Sequence, residues 1–365
     1  MVVCLSPNGE ASSTSDGPAT ELQVATLGGV WRLSRSAPEQ QWRVVSSGLG
    51  EHHVGALLVE PGSGLELAGT YDAGLFASTD HGATWQQRST GLPDTNVYSL
   101  ALRRRGRENA LYAGTEPVGL YRSLDLGESW QDLPAIRDVP GTEGWTFPAP
   151  PHLAHVKWVT FHPAEPTTLQ VAVEQGGLYR SDDDGASWAR LATYETPERG
   201  SSHDIHRIAL GRADPHLVYM PTGEGVFRSR DAGASWDFLD GPTRWIGYPD
   251  FVFVDPLDDR TVYLGGALRG PGTWENPSAR PAFLRSQDGG DTWEELHDGL
   301  PDPVAGNVEA MSMHIWPGGP SFYAATTAGQ VFGADRLEDG WGLLAEGLPA
   351  VSKVGHYRRF LAGVA

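Results

Sequence analysis

Short apolar runs recur along the whole chain, separated by loops that contain glycine or proline. In the clearest example, a run beginning at Leu111 is followed by a loop ending at Gly119 and a second run beginning at Leu120. Short runs bounded by turn residues are typical of β-strands. Equivalent first runs begin at Leu65, Leu169, Val218, Val262 and Phe322.

A further apolar run precedes each of these pairs, and a third run led by tryptophan follows it. The preceding runs are Val54 to Val59, Val97 to Leu102, Val156 to Phe161, Ile205 to Leu210, Val252 to Val254 and Met311 to Ile315. The pattern therefore predicts four antiparallel strands in every ~45–50 residues, which is the size of one β-propeller blade.

An eight-residue motif, Ser-x-Asp-x-Gly-x-Ser/Thr-Trp, links the second and third runs and is written first at Ser78 to Trp85. Its aspartate, Asp80, can accept hydrogen bonds from amides of its own turn. Its glycine, Gly82, can adopt positive φ, and the tryptophan can anchor the turn by burial. The later copies centre on Asp125, Asp183, Asp231 and Asp288. We interpret these five aspartates as structural.

The repeat predicts an all-β fold, a single seven-bladed β-propeller of four-stranded antiparallel blades over residues 22–365. Six blades cover residues 48–90, 91–134, 135–193, 194–240, 241–297 and 298–345. The seventh combines 346–365 with 22–47, so that a C-terminal strand pairs with the three N-terminal strands and closes the ring, which removes exposed sheet edges. Residues 1–21, rich in Ser, Thr, Asp and Gly, are expected to form a flexible N-terminal arm.

The repeated motif resembles the Asp-box, or BNR repeat, of sialidases, xyloglucanases, sortilin-type receptors and photosystem II assembly factors. The resemblance covers nearly the whole chain and implies a propeller. It also implies that the boxes lie on the face opposite the usual ligand site. The families share this turn and little else, so the resemblance is specific for fold and not for function.

The preceding runs, such as Val97 to Leu102, form the first strand of each blade. When these first strands are aligned, one column of polar residues interrupts their apolar pattern: Tyr98, Lys157, His206, Asp250 and Glu309, with His155 and His356 within one position of it. First strands line a propeller's channel, where a charge loses hydration unless it is paired. Three interpretations remain open. The column can form a self-satisfied ion network around the channel, a metal site, or an acid–base catalytic site.

The metal interpretation takes His155, His206, His356 and Glu309 as ligands, with Asp250 as an alternative carboxylate. Mixed imidazole and carboxylate ligands suit Zn, Fe or Mn, so a divalent metal is the candidate cofactor.

The catalytic interpretation uses paired carboxylates, which serve general acid–base chemistry. It names Glu309, Asp250, His206 and Lys157 as catalytic candidates.

Two loops on the predicted ligand side are longer than their counterparts. The linker from Trp130 to Val156 is more than twice as long as that from Trp85 to Val97, and it contains Trp145. The fifth blade carries another insertion between Arg269 and Arg280. Stiff, aromatic loops suit ligand sites as well as lids that only stabilise the fold. The substrate-binding candidates are Trp145, Trp274, Tyr248, Arg269, Glu174 and Glu116.

Three functions are compatible with this pattern: a glycan hydrolase, a metal-dependent enzyme or binder, and a non-catalytic assembly scaffold. The Arg-Ile-Pro motif of sialidases is absent, and only Arg207-Ile208-Ala209 is present. Xyloglucanases of this type use two propellers, whereas one is predicted here. The polar column favours a small-molecule or glycan site over a scaffold.

Composition restricts the partners. The formal net charge of −19 disfavours nucleic acids and anionic membranes. The single cysteine, Cys4, excludes an internal disulfide framework. The first residues lack the pattern of a secretory signal, and no apolar run is long enough to span a bilayer. We therefore expect a cytoplasmic monomer or weak oligomer.

Overall fold

The structure is a computed structural model that describes residues 2–93, 96–105, 108–191, 195–196, 200–201, 203–271 and 279–352. The chain begins with the strands β1 Val2–Leu5, β2 Ser12–Thr14, β3 Glu21–Thr26, β4 Gly29–Ser34, β5 Arg43–Gly48, β6 Val54–Val59, β7 Glu66–Thr70, β8 Leu75–Ser78, β9 Gln86–Gln87, β10 Asn96–Arg105, β11 Glu108–Glu116, β12 Gly119–Ser123 and β13 Gln131–Asp132.

The middle of the chain continues with β14 His155–Phe161, β15 Leu169–Glu174, β16 Gly177–Ser181, β17 Ala189–Arg190, β18 Glu195–Thr196, β19 Gly200–Ser201, β20 Ala209–Leu210, β21 Val218–Thr222, β22 Gly225–Ser229 and β23 Asp237–Phe238. The remaining strands are β24 Tyr248–Asp255, β25 Asp258–Ala267, β26 Pro281–Ser286, β27 Glu294–Glu295, β28 Val308–Trp316, β29 Gly319–Thr326, β30 Val331–Ala334 and β31 Gly342–Ala345. Helical structure in the described residues is limited to short 3-10 turns at Pro134–Asp138, Thr142–Gly144, Gly241–Arg244 and Leu337–Asp339.

The chain divides into two compact units. Unit 1 comprises Met1–Thr115, Tyr121–Asp132 and His297–Ala365, and unit 2 comprises Glu116–Leu120 and Leu133–Leu296. Unit 1 contains the sheets β1-β3-β4-β5, β6–β9, β10–β13 and β2-β28-β29-β30-β31. The end of β11, the start of β12 and the turn between them, Glu116–Leu120, belong to unit 2. Unit 2 contains the sheets β14–β17, β20–β23 and β24–β27, together with the hairpin β18–β19.

These seven sheets of four or five strands, built mainly from sequential antiparallel neighbours, confirm the predicted seven-bladed β-propeller for the described part of the chain. Middle strands are buried on both faces where neighbouring sheets of the same unit pack against each other. Every residue of β15, Leu169–Glu174, is buried. In unit 2, Phe227 and Met220 of one sheet pack against Ala172 and Leu178 of the preceding one.

The N-terminal segment differs from the expected flexible arm. β1 pairs in parallel with β3, with Cys4 opposite Gln23. β2 pairs in parallel with β28, with Ser13 opposite His314. Val3 and Leu5 are buried, so hydrophobic burial and strand pairing fix a segment whose composition is that of a loose arm.

The closing strand was predicted within residues 346–365, and residues 353–365 of this segment lie outside the described residues. The place beside β3 that it was expected to fill is held by β1. Among the described residues, the strand beside β3 therefore comes from the N-terminal segment, and it pairs with β3 in parallel rather than antiparallel orientation.

All five copies of the repeated motif adopt the same turn. In the fourth copy, Ser229 Oγ donates to Asp231 Oδ1 at 2.7 Å and accepts the Gly233 amide at 2.8 Å. Asp231 in turn accepts the amide and hydroxyl of Ser235 at 2.8 and 2.6 Å. Hydrogen bonds from the Ser235 hydroxyl and amide lower the pKa of Asp231 to about 2. The residue before the glycine also has positive φ, 59° at Ala232, a strain that the sequence pattern did not indicate.

Candidate functional site

The polar column coincides with β-bulges in the first strands of the blades. Pairing shifts register in β6, β14, β24 and β28, at Gly55, Lys157, Asp250 and Glu309. A bulge leaves one residue without a partner on the neighbouring strand and redirects its side chain. Lys157, Asp250 and Glu309 are buried, so each of these charges must be neutralised within the protein.

In unit 2, a buried ion network surrounds His155. We define the His155 network as Glu116, His155, Lys157 and Glu174. His155 lies opposite Glu174 in the β14–β15 pair, and its Nε2 is 2.5 Å from Glu174 Oε2. Its Nδ1 is 3.2 Å from Glu116 Oε2, and Lys157 Nζ donates to Glu174 Oε2 at 2.6 Å.

The His155 network favours a charged imidazole. Burial opposes the charge, but the adjacent carboxylates of Glu174 and Glu116 outweigh burial and raise the pKa of His155 above 6.5. Two cations then face two carboxylates. For this part of the column, the self-satisfied ion network is the interpretation that the geometry favours.

A second cluster, also in unit 2, surrounds His206. We define the His206 cluster as Glu174, Asp204, His206 and Tyr248. His206 Nδ1 lies 2.5 Å from the carbonyl oxygen of Pro249, and its Nε2 lies 3.1 Å from Tyr248 Oη and 3.4 Å from Asp204 Oδ1. Tyr248 Oη donates to Asp204 Oδ2 at 3.2 Å.

Three groups of this cluster converge on one point. One ligand atom each of Glu174, Asp204 and His206 lie within 4.8 Å of one another. The side chains of His206 and Glu174 are 0 % and 4 % exposed, whereas the side chain of Asp204 is 18 % exposed. Asp204 is therefore the member best placed to meet a molecule arriving from solvent.

The backbone explains the convergence. Ile205 forms an isolated antiparallel bridge with Thr222, so the segment around it is extended. Residues two apart in an extended segment point to the same side, which places Asp204 beside His206. Glu174 is the last residue of β15 in the preceding sheet.

Tyr248 remains a hydrogen-bond donor in this setting. Burial, followed by the negative charges of Asp204, Asp250 and Glu174, raises the pKa of Tyr248 well above 10. Its hydroxyl therefore keeps its proton at neutral pH.

Arg207, the residue after His206, is buried and lies over two aromatic rings. Its guanidinium carbon lies 4.3 Å from the centre of the Trp158 ring and 4.5 Å from that of Phe251. Burial lowers the pKa of Arg207 to about 9, and the charge of Asp250 opposes that shift. Arg207 is thus cationic at neutral pH, and the negative charge of Asp250 favours this form.

The remaining predicted site residues have different surroundings. Trp145 donates its indole N–H to Tyr179 Oη at 3.1 Å and is half-buried. Arg269 is exposed. Glu309 lies in unit 1, where Asn307 Nδ2 donates to its Oε1 at 3.3 Å. Trp274 and His356 lie outside the described residues.

The predicted metal ligands are only partly brought together. Both ring nitrogens of His155 face carboxylates, which leaves no lone pair directed at a metal. The structure instead groups His206 with Asp204 and Glu174. Asp204 was missed by the sequence analysis, although its spacing of two residues from His206 was a usable signal in an extended segment.

No protein-family model matches the chain. Among curated proteins, xyloglucanase Xgh74A of Acetivibrio thermocellus is 28% identical over 163 residues, 40% of this chain and 18% of that enzyme. A Paenibacillus sp xyloglucanase is 27% identical over 166 residues, 40% of this chain and 15% of the enzyme. A Hypocrea jecorina xyloglucanase is 27% identical over 175 residues, 42% and 20%. The aligned part of the chain thus spans a fifth or less of these relatives.

Solved structures show the same fold at low identity. An ancestral GH74 enzyme has a TM-score of 0.59 and 15% identity, covering 80% of this chain and 37% of that chain. YCF48 bound to D1 peptide has a TM-score of 0.52 and 16% identity, covering 86% and 96%. A chain of the Mitotic Checkpoint Complex has a TM-score of 0.56 and 10% identity, covering 88% and 86%. These likenesses establish the fold class, a β-propeller, and nothing finer.

No helix among the described residues is long and apolar enough to cross a membrane.

Proposed function

We propose that this protein binds a glycan at the His206 cluster and acts on it as a glycosidase-like hydrolase. The observation that carries the proposal is the convergence of Glu174, Asp204 and His206 within 4.8 Å, beside the Tyr248 hydroxyl. Sugar hydroxyls both donate and accept hydrogen bonds. A ligand of this class therefore matches a cluster that offers carboxylate acceptors and a phenolic donor.

The two carboxylates of the cluster have different surroundings, as the division of roles in glycoside hydrolysis requires. Glu174 accepts hydrogen bonds from Lys157 and His155, which stabilise its anion. Asp204 accepts a phenolic hydrogen bond from Tyr248, and its side chain is more exposed to solvent than that of Glu174. We propose that Asp204 contacts the ligand, whereas Glu174 provides a negative charge that does not change during the reaction.

The curated relatives support the glycan as ligand class, since three xyloglucanases align with about 40% of the chain. The support is limited to that ligand class. The alignments cover a small part of each enzyme, and the catalytic groups of those enzymes are not carried over.

The test is binding and hydrolysis of xyloglucan oligosaccharides by the purified protein. Asp204→Asn should abolish hydrolysis, because it removes the partly exposed carboxylate while keeping the side-chain shape. Asp240→Asn, an exposed aspartate of the same unit, is the matched control and should keep full activity. Equal activity of Asp204→Asn and the parent would refute the assignment of the site.

A second candidate function is that of a non-catalytic assembly protein. It is favoured by the structural match to YCF48: this chain covers 96% of YCF48 but 37% of the ancestral GH74 enzyme. With a net charge of −19, such a scaffold would select basic segments. Salt-sensitive binding of basic peptides, unchanged in Asp204→Asn and without any glycan binding, would favour this function over the hydrolase.

A further inference from the structure

The hydrogen-bond arrangement around His206 fixes which ring nitrogen carries a proton. A carbonyl oxygen can only accept, so the 2.5 Å contact with Pro249 requires Nδ1 to be protonated. In the neutral ring, Nε2 then has a bare lone pair. That lone pair points to the side of the ring where Tyr248 and Asp204 lie.

On that side, one hydroxyl proton lies between two acceptors. The oxygen of Tyr248 is 3.1 Å from His206 Nε2 and 3.2 Å from Asp204 Oδ2, and its single proton can point to one of them at a time. Asp204 Oδ1 also lies 3.4 Å from the same Nε2, so two electron-rich atoms face each other.

Several carboxylates lie around the cluster. Glu116, Glu174, Asp204 and Asp250 all belong to this part of unit 2. Lys157 lies beside Glu174, and the charge of Asp250 acts on Arg207. A cation bound between Glu174 and Asp204 would lower the electrostatic repulsion between these two carboxylates.

We propose that Glu174, Asp204 and His206 bind a divalent transition-metal cation, Zn²⁺ or Mn²⁺, through His206 Nε2 and one carboxylate oxygen from each acid. Imidazole nitrogen with carboxylate oxygens suits these ions, whereas Mg²⁺ and Ca²⁺ prefer oxygen ligands alone. A tetrahedral ion held at about 2.0–2.1 Å keeps its ligand atoms about 3.3 Å apart. The His206–Asp204 separation of 3.4 Å already meets this spacing.

The surrounding contacts are those that orient metal ligands. A ligating histidine usually donates its other N–H to a carbonyl or carboxylate, as His206 does to Pro249. Glu174 is held by His155 and Lys157 through Oε2, and a carboxylate has acceptor sites on both oxygens. Three protein ligands leave at least one position of the ion open for water or a ligand hydroxyl.

This site goes beyond the proposed function and does not depend on it, since metal binding can be measured without any glycan. The alternative occupant is a proton, which would make His206 an imidazolium that donates to Asp204. Only the metal-binding case gives a measurable affinity for the metal and the spectroscopic signature of a bound ion.

The experiment is calorimetric titration of Zn²⁺ and Mn²⁺ into untagged protein that has been stripped with chelator. One ion should bind per chain with a Kd below about 10 µM, while Mg²⁺ and Ca²⁺ should bind at least about 100-fold more weakly. X-ray absorption at the zinc edge should give a mixed nitrogen and oxygen shell without sulfur.

Variants locate the ion. His206→Ala and Asp204→Asn should each weaken Zn²⁺ binding by about 100-fold, and Asp204→Asn is the safer of the two for folding because Asp204 is partly exposed. His216→Ala, an exposed histidine of the same unit, should bind as the parent does. Binding unchanged in both site variants, or no stoichiometric binding by the parent, would overturn the proposal. Metal binding without glycan hydrolysis would refute only the proposed function.

Discussion

The Nδ1 atom of His206 lies 2.5 Å from the carbonyl oxygen of Pro249. Pro249 precedes the bulge residue Asp250 on β24, so the pairing of one blade orients the histidine of the preceding blade. The same strand begins with Tyr248, whose hydroxyl lies 3.1 Å from the other ring nitrogen. Both nitrogens of His206 are thereby positioned by two consecutive residues, Tyr248 and Pro249.

The Tyr248 hydroxyl can be tested without removing its ring. We expect Tyr248→Phe to lower the affinity for a xyloglucan oligosaccharide by about fivefold, because the sugar is uncharged and one hydrogen bond between neutral groups is worth about 1 kcal/mol. Titration calorimetry measures the loss. The melting temperature should stay close to that of the parent, and an unchanged affinity would remove Tyr248 from the ligand site.

The charged state of His155 predicts a pH-dependent stability. Its pKa in the folded protein is raised above 6.5, so the stabilisation is complete below pH ~6.5 and is lost as pH rises through the higher folded value. Each unit of pKa shift corresponds to about 1.4 kcal/mol. His155→Gln should therefore flatten the decline of the urea midpoint between pH 6 and pH 9.

The groups that face His155 are Glu116, Glu174 and Lys157. The exposed His216→Gln provides the matched control and should show the pH profile of the parent. If His155→Gln kept the full decline, the stabilisation would have to come from other titrating groups.

The stacked Arg207 depends on its planar guanidinium. Arg207→Lys keeps the charge near Asp250 but loses the two ring faces of Trp158 and Phe251. We expect a loss of about 1–2 kcal/mol in the free energy of unfolding, measured by denaturant titration. The exposed Arg212→Lys should change stability by less than about 0.5 kcal/mol. Equal effects at both positions would mean that the stacking contributes nothing.

The repeated turn provides a test of the blade scaffold. Ser229 is buried, and its hydroxyl both accepts the Gly233 amide and donates to Asp231. Ser229→Ala leaves the Gly233 amide without its acceptor and removes one hydrogen bond to Asp231, whose Oδ1 still accepts the Ser235 amide. The substitution should cost about 1–2 kcal/mol of unfolding free energy. Ser235→Ala, which removes an exposed hydroxyl from the same turn, should cost less. The measurement compares the unfolding midpoints of the two variants in guanidinium. A midpoint for Ser229→Ala that is equal to or higher than that for Ser235→Ala would contradict the prediction.

The aspartate of this turn adds a pH dependence of known sign. The pKa of Asp231 is lowered to about 2 from an ordinary value of 3.8. Its stabilising effect is therefore present above pH ~3.8 and is lost as pH falls toward 2. Asp231→Asn should reduce the steepness of acid unfolding in this range, as followed by tryptophan fluorescence.

The local pattern identified the candidate polar residues but not their geometry. Lys157, Asp250 and Glu309 stand out because charge interrupts apolar strands. Their positions at bulges depend on the register with the next strand, and register is a cross-strand property. The alignment of the first strands therefore indicated the polar column but not the residues that contact it, of which Asp204 is the most important.

The N-terminal segment was misjudged for a related reason. Val2–Leu5 is too short and too polar in its surroundings to indicate a strand by itself. It becomes one because β3 offers a row of backbone groups that need partners, and burying Val3 and Leu5 against the core stabilises the pairing.

The sequence alone determined the class of fold, since five turns of one type, the strand pairs beside them and their tryptophans are local patterns that recur along the chain. Only the tertiary structure decided which charges meet. Glu174 and Asp204 lie thirty positions apart in adjacent blades, and it is blade packing that brings them to His206. Local hydrogen bonds and burial fix a repeat, whereas long-range electrostatic partners depend on the register and packing of neighbouring sheets.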